Sequence, residues 1–223
     1  MGKSILTPKQ LKFLEFISLE PQITKRFYLT GGTALAEFHL QHRLSEDIDL
    51  FTEEKEVYHP TIDAFLTKNL SKLKAKRFDR TQFLGLVSYH LIYNDGDKLK
   101  VDFNYYPFPR IEKGLKFKNL NIDSLLDIAT NKVHTIFIKP RTRDYIDLYF
   151  MFKKEKLDLD KLILFAKAKF DWHIDRVNLA AQFARIKDIK VEDYPKVLAP
   201  FSVKEMEDFF LGLAKDLEKD IFK

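Results

Sequence analysis

The sequence predicts an α+β protein: a mixed β-sheet domain with flanking helices, followed by a helical bundle. Three observations carry this. Three segments in the middle, 76–79, 83–93 and 98–105, are rich in aromatic and β-branched residues and read as strands. From Ile122 to the end the apolar residues recur at helical spacing. Between these regions, at 107–121, Pro107 and Pro109 close the strand pattern before the helical one begins. We place the boundary there, giving an α/β domain over residues 1–115 and a helical domain over 116–223.

The elements follow in order. Thr7-Pro8 reads as an N-cap with proline at the first helical position, opening a helix to about Leu19 that Pro21 ends. Phe27-Tyr28-Leu29 is a short strand that stops at Gly31-Gly32. A short helix over 33–41 and a strand over 47–51 come next. Ile62, Phe65, Leu66, Leu70 and Leu73 mark a helix with a period near 3.6 residues. Asn94-Asp95-Gly96-Asp97 is a hairpin turn between the last two middle strands. Helices are expected over 122–138, 141–152, 159–170 and 172–186. A last one carries the stripe Met206, Phe209, Phe210, Leu213 and Leu217.

Composition sets the outer limits. With 223 residues, 45% of them hydrophobic and 32% charged, the chain can bury a sizeable core. Its 21 phenylalanines fall mostly at periodic positions and read as core filling, as does Trp172. The net charge of +5 permits a nucleotide or nucleic-acid partner without demanding one. Cysteine is absent, which excludes disulfides and thiolate metal sites. No apolar run approaches the roughly 20 residues of a membrane span, and the first ten residues lack a signal-peptide core. A cytoplasmic protein without a membrane partner is the expectation.

The stretch 27–51 concentrates the chemistry. Glycines at 31 and 32 let a backbone approach a phosphate, and the helix opening at Thr33 offers unpaired N–H groups. Side chains alternate along a strand, so Asp47 and Asp49 share one face while Ile48 and Leu50 take the other. Two carboxylates on one face suit a divalent cation such as Mg²⁺, which prefers carboxylate and phosphate oxygens. Asp102, between Val101 and Phe103, is a third acid in the same kind of pattern. If its strand lies beside 47–51, the three carboxylates converge as two-metal phosphoryl or nucleotidyl transfer needs.

Around these lie secondary candidates. Arg43 and Ser45 either orient the acids and touch a nucleotide or are loop residues facing water, and the pattern does not choose. In the helical half Lys132 stands in one expected helix, and Arg143, Asp144 and Asp147 in the next are spaced for one helical stripe. They read as a basic clamp held by acids or as a salt-bridged bundle face, and spacing alone favours the second. The six histidines show no metal-ligand spacing. Neither a G-x-S-x-G elbow nor a P-loop occurs, which argues against a serine hydrolase and a P-loop NTPase.

Taken together, GGTAL at 31–35, HRLSEDIDLF at 42–51, KVDF at 100–103, and Lys132 with RTRDYIDLY at 141–149 resemble the AbiEii/AbiGii family of nucleotidyltransferase-like type IV toxins. The motif order agrees as well, over about 27–149. The resemblance implies a DNA polymerase β-like nucleotidyltransferase fold. It implies that Gly31, Gly32 and Thr33 cradle nucleotide phosphates, and that Asp47 and Asp49, with Asp102 as third acid, bind Mg²⁺ or Mn²⁺. Lys132 would contact the triphosphate, and Asp144 or Asp147 would complete the site. Where many nucleotidyltransferases carry Gly-Ser, this chain has Gly32-Thr33, which keeps the hydroxyl. The implied partners are a nucleoside triphosphate, an RNA acceptor such as tRNA, and a cognate antitoxin. The same acids leave two other readings open: a non-catalytic protein binding nucleotide, RNA or antitoxin, and a phosphatase or nuclease.

Overall fold

A computed structural model describes residues 4–219. The chain divides into two compact units. The first runs to His39 and includes Ser45–Pro109 and Lys113–Ser124; the second contains Leu40–Leu44, Arg110–Glu112 and the chain from Leu125 onward. The break expected at residue 115 thus lies ahead of two strands that the first unit's sheet contains.

The first unit is built on a seven-stranded mixed sheet in the order β3-β4-β5-β2-β1-β7-β6. Its strands are β1 (Tyr28–Thr30), β2 (Ile48–Thr52), β3 (Ala75–Phe83), β4 (Leu86–Tyr93), β5 (Lys98–Tyr105), β6 (Lys116–Phe117) and β7 (Leu120–Ile122). The middle strands form the expected antiparallel meander, and Gly96, at φ +86°, turns the chain between β4 and β5. β5 then returns to pair in parallel with β2, while β1 pairs antiparallel with β2 and parallel with β7. Ile48, Leu50, Val101 and Phe103 are fully buried on one face, as the alternation requires.

Helices α1 (Pro8–Ile17), α2 (Pro21–Thr24), α3 (Gly31–Ala34) and α4 (His59–Leu73) belong to this unit. α1 opens with a capping box: Thr7 accepts from the Gln10 N–H, and the Gln10 side chain accepts from the Thr7 N–H. Pro21 begins a separate helical turn, since its fixed φ suits a first helical position. The helix expected at Thr33 starts two residues earlier, and from Leu35 to Leu40 it continues as a π-helix.

The second unit holds α5 (Leu125–Ile138), α6 (Thr142–Lys154), α7 (Leu159–Phe170), α8 (Arg176–Ala184) and α9 (Val203–Lys219). α5 begins at Leu125 rather than Ile122, because Leu120–Ile122 is drawn into the sheet as β7. α8 begins at Arg176, where Asp175 caps it by accepting from the Asn178 N–H at 2.8 Å. Trp172, expected in the core, lies between α7 and α8 and is 57% exposed, because the chain leaves α7 through Asp171 in the left-handed conformation. Phe83, at the tip of the β3–β4 hairpin, is likewise exposed, whereas Phe13, Phe65, Phe103, Phe183 and Phe210 fill interior space. A buried ion pair, Lys169 to Asp127 at 2.7 Å, anchors the short segment Arg110–Glu112, whose Ile111 and Glu112 N–H groups also donate to Asp127. Among the described residues no helix is long and apolar enough to cross a membrane.

Candidate active site

The sequence-named residues fall into two groups, one in each unit. Gly31, Gly32, Thr33, Ser45, Asp47, Asp49 and Asp102 belong to the first; Arg43, Lys132, Arg143, Asp144 and Asp147 belong to the second.

In the first unit, strand register brings the acids together. Thr30 is level with Asp49, Asp49 with Asp102, and Asp102 with Ser88, so one row crosses β1, β2, β5 and β4 on a single face. Asp47 comes one residue before β2, and the segment leading into it is held from two sides. The buried Gln10 amide donates to the Ser45 carbonyl at 2.7 Å and to the Glu46 carbonyl at 3.0 Å. The fully buried Thr33 hydroxyl donates to the Asp47 carbonyl. Thr33 thereby positions Asp47 through the main chain.

Gly31 sits directly against this row. It has φ +71°, and a Cβ added to it would lie 2.5 Å from Asp49 Oδ2. Only glycine gives both the backbone conformation and the close approach. Gly31→Ala is expected to lower stability by about 1–3 kcal/mol and, by pushing Asp49 aside, to reduce nucleotidyl transfer by roughly 100-fold. Thermal melts and transfer assays on the purified variant check both figures.

Electrostatics of the row centre on Lys100, whose ammonium donates to Asp102 Oδ2 at 2.7 Å and lies 3.6 Å from Asp47 Oδ2. Partial burial disfavours the charged Lys100, but the hydrogen bond to Asp102 and the charges of Asp102, Asp47 and Asp49 outweigh it and raise its pKa. Asp102 is 7% exposed, and its second oxygen, Oδ1, is buried without a hydrogen-bond partner.

These features match a divalent cation in chemistry. The donors are hard carboxylate oxygens, one of them buried and unpaired, beside a glycine that leaves the approach open. Among the described residues, however, no three His, Cys, Asp or Glu side chains are gathered closely enough to hold a metal ion, and Lys100 is the cation that the acids hold here.

The second unit contains a buried ion network. Asp147 is fully buried and accepts from Arg43 Nε at 2.6 Å, Arg43 Nη2 at 2.8 Å and His42 Nε2 at 2.8 Å, with Lys132 Nζ 2.6 Å away. Lys132 also donates to Asp144 at 2.6 Å, and Asp144 accepts from the Arg141 guanidinium and N–H. Burial would raise the Asp147 carboxyl, but the charge of Lys132 and the bonds from Arg43 and His42 hold it well below the usual carboxylate range. Asp144 is lowered in the same way by Lys132 and Arg141. Burial lowers His42, against the pull of Asp147; donating through Nε2 assigns it the neutral Nε2–H tautomer, with Nδ1 unpartnered. Arg143, four residues before Asp147, is exposed.

Sequence reasoning passed over Lys100, His42 and Arg141. Lys100 carried a signal, since it lies two residues before Asp102 and hence on the same strand face.

A family model described as the nucleotidyl transferase AbiEii toxin of type IV toxin–antitoxin systems matches residues 17–217. The chain belongs to this family. By membership, this AbiEii-family chain is a nucleotidyltransferase of the toxin–antitoxin class. It is similar to the Aquifex aeolicus (strain VF5) protein aq_aa25, with 30% identity over 197 residues, 87% of this chain and 89% of that one. Among solved structures it is similar to JHP933 from Helicobacter pylori, with a TM-score of 0.58 and 18% identity over 95% of this chain and 90% of that one. A second H. pylori structure matches with a TM-score of 0.60 and 20% identity, covering 95% and 92% of the two chains. At these identities the structures establish the fold, an α+β nucleotidyltransferase-like one, as the sequence predicted.

Proposed function

We propose that this chain transfers a nucleoside monophosphate from a nucleoside triphosphate to an RNA acceptor such as tRNA, using Asp47, Asp49 and Asp102 with Mg²⁺ or Mn²⁺. The observation that carries the reading is the lateral pairing of Asp49 with Asp102 against Gly31. It sets two carboxylates side by side next to a backbone free of a side chain. A divalent cation held there would neutralise phosphate charge and polarise the transferring phosphoryl group. Gly31 and Gly32 leave room for the triphosphate to approach. Gln10 and Thr33 keep Asp47 in place, and a carboxylate oxygen that does not ligate the cation is available to accept the proton of the attacking hydroxyl. A cognate antitoxin is the expected protein partner, and the cytoplasm the expected location.

In the second unit, Lys132 and Arg43 are already paired with Asp144 and Asp147. We therefore assign Asp144 and Asp147, with Lys132 and Arg43, to holding the second unit together, in place of the triphosphate contact by Lys132 that the family resemblance implies. Arg143 is exposed and suits contact with the phosphates of a polynucleotide acceptor.

The test is to incubate the purified chain with total RNA, Mg²⁺ and each α-labelled nucleoside triphosphate in turn. Label is expected in an RNA species with at least one nucleotide. Absence of label with all four, in a preparation that is folded, overturns the reading.

A further inference from the structure

Four buried or half-buried lysines in the described residues hold carboxylates; Lys9 bridges two exposed acids of the β4–β5 turn, Asp95 and Asp97, and the other three hold more buried ones differently. Lys169 is 1% exposed in its side chain and sits on Asp127, whose two oxygens also take the Ile111 and Glu112 N–H groups. Lys132 is 9% exposed in its side chain and is wedged between two fully buried acids. In both, the cation is sealed in, and its removal would strand buried charge.

Lys100 is the loose one. Its side chain is 36% exposed, it makes one short contact to Asp102, and its distance to Asp47 is that of a through-space attraction rather than a hydrogen bond. The oxygen it leaves alone, Asp102 Oδ1, is buried and has no partner. An ammonium on a four-carbon stem at this exposure can swing into water at little cost.

We propose that Lys100 is the resident counter-ion of the Asp47–Asp49–Asp102 row, and that its ammonium and a divalent cation occupy these carboxylates in competition. The inference rests on the reading of these acids as metal ligands and adds a residue that regulates access to them. In the free protein, Lys100 offsets the mutual repulsion of the acids through its contacts to Asp102 and Asp47. When a divalent cation takes the carboxylates, the displaced ammonium remains within a side chain's reach of the row, where triphosphate oxygens would meet it. Lys100 is thus a positioning residue, with opposite effects on metal and nucleotide binding.

The experiment is a Mn²⁺ titration of the full chain, followed by the electron paramagnetic resonance signal of free Mn²⁺. Wild type, Lys100→Met, Lys100→Gln, Lys100→Arg and the double variant Lys100→Met/Asp49→Asn are compared. Both neutral variants are expected to bind Mn²⁺ roughly tenfold more tightly than wild type, since a charge-assisted hydrogen bond no longer competes. Lys100→Arg is expected to stay within about threefold of wild type, because a guanidinium keeps the charge. In chelator, the melting temperature of Lys100→Met should fall below that of wild type and recover with Mn²⁺. Its KM for nucleoside triphosphate should rise, which a lysine that merely stabilised the fold would not cause. Neutral variants that bind Mn²⁺ no tighter than wild type, while Asp49→Asn abolishes binding, overturn the counter-ion role and leave the metal reading standing. No Mn²⁺ binding by any folded variant overturns both.

Discussion

Replacing Asp49 by asparagine is expected to reduce nucleotidyl transfer by about a thousandfold or more while leaving the fold intact. Asp49 is the central member of the row: it pairs laterally with Thr30 on one side and Asp102 on the other, and Gly31 approaches its carboxylate. Asparagine keeps the shape and loses the charge, so divalent cation binding weakens where the reaction needs it. Charge stabilisation by a bound cation is worth several kcal/mol, and each 1.36 kcal/mol is about tenfold in rate. Stability should hold or rise slightly, because one of three mutually repelling acids has been neutralised. Transfer assays alongside thermal melts check this. Activity within tenfold of wild type would remove Asp49 from the metal site.

Asp147→Ala is expected to have the opposite profile, with a large loss of stability. The fully buried carboxylate takes Arg43 through two nitrogens, His42 through Nε2 and the Lys132 ammonium. Deleting it leaves cations buried without compensation, a change that costs about 3–5 kcal/mol. Denaturant unfolding measures it, and a loss below about 1 kcal/mol would contradict the network. The pH dependence follows from the same groups. Asp144 and Asp147 have folded pKa values below their unfolded ones, so their contribution is present above about pH 4 and is lost only as pH falls through the lower folded values. His42 and His134 are bases lowered by burial, so the unfolded chain takes up their protons first and stability declines as pH falls below about 6.5. Melting temperatures at pH 7.5 and 5.5 should therefore differ, and His42→Gln should reduce the difference. An undiminished difference would remove His42 as a source.

How legible this was in the sequence depended on how local each signal is. The alternation in Asp47-Ile48-Asp49-Leu50 and in Val101-Asp102-Phe103 has period two, so burial of one face and the acids on the other could be read directly. That β2 and β5 are neighbours could not, because the β3–β4 hairpin separates them in sequence and only tertiary pairing sets them side by side. Spacing showed that Asp144 and Asp147 share a helical face, but their partners are distant: Arg43 lies 104 residues from Asp147. The strands Lys116–Phe117 and Leu120–Ile122 are too short to show any period, and Ile122 runs on into the apolar pattern of α5. Trp172 was misread because an aromatic residue beside an apolar stripe looks like core until the left-handed Asp171 turns the chain outward.

The most direct test of the site is a crystal structure of the chain with a non-hydrolysable nucleoside triphosphate and Mg²⁺. The account predicts metal on the carboxylates of Asp47, Asp49 and Asp102, the phosphates over Gly31 and Gly32, and the Lys100 ammonium withdrawn from Asp102. A nucleotide bound elsewhere, with Lys100 still on Asp102 and no metal on the three acids, would contradict it.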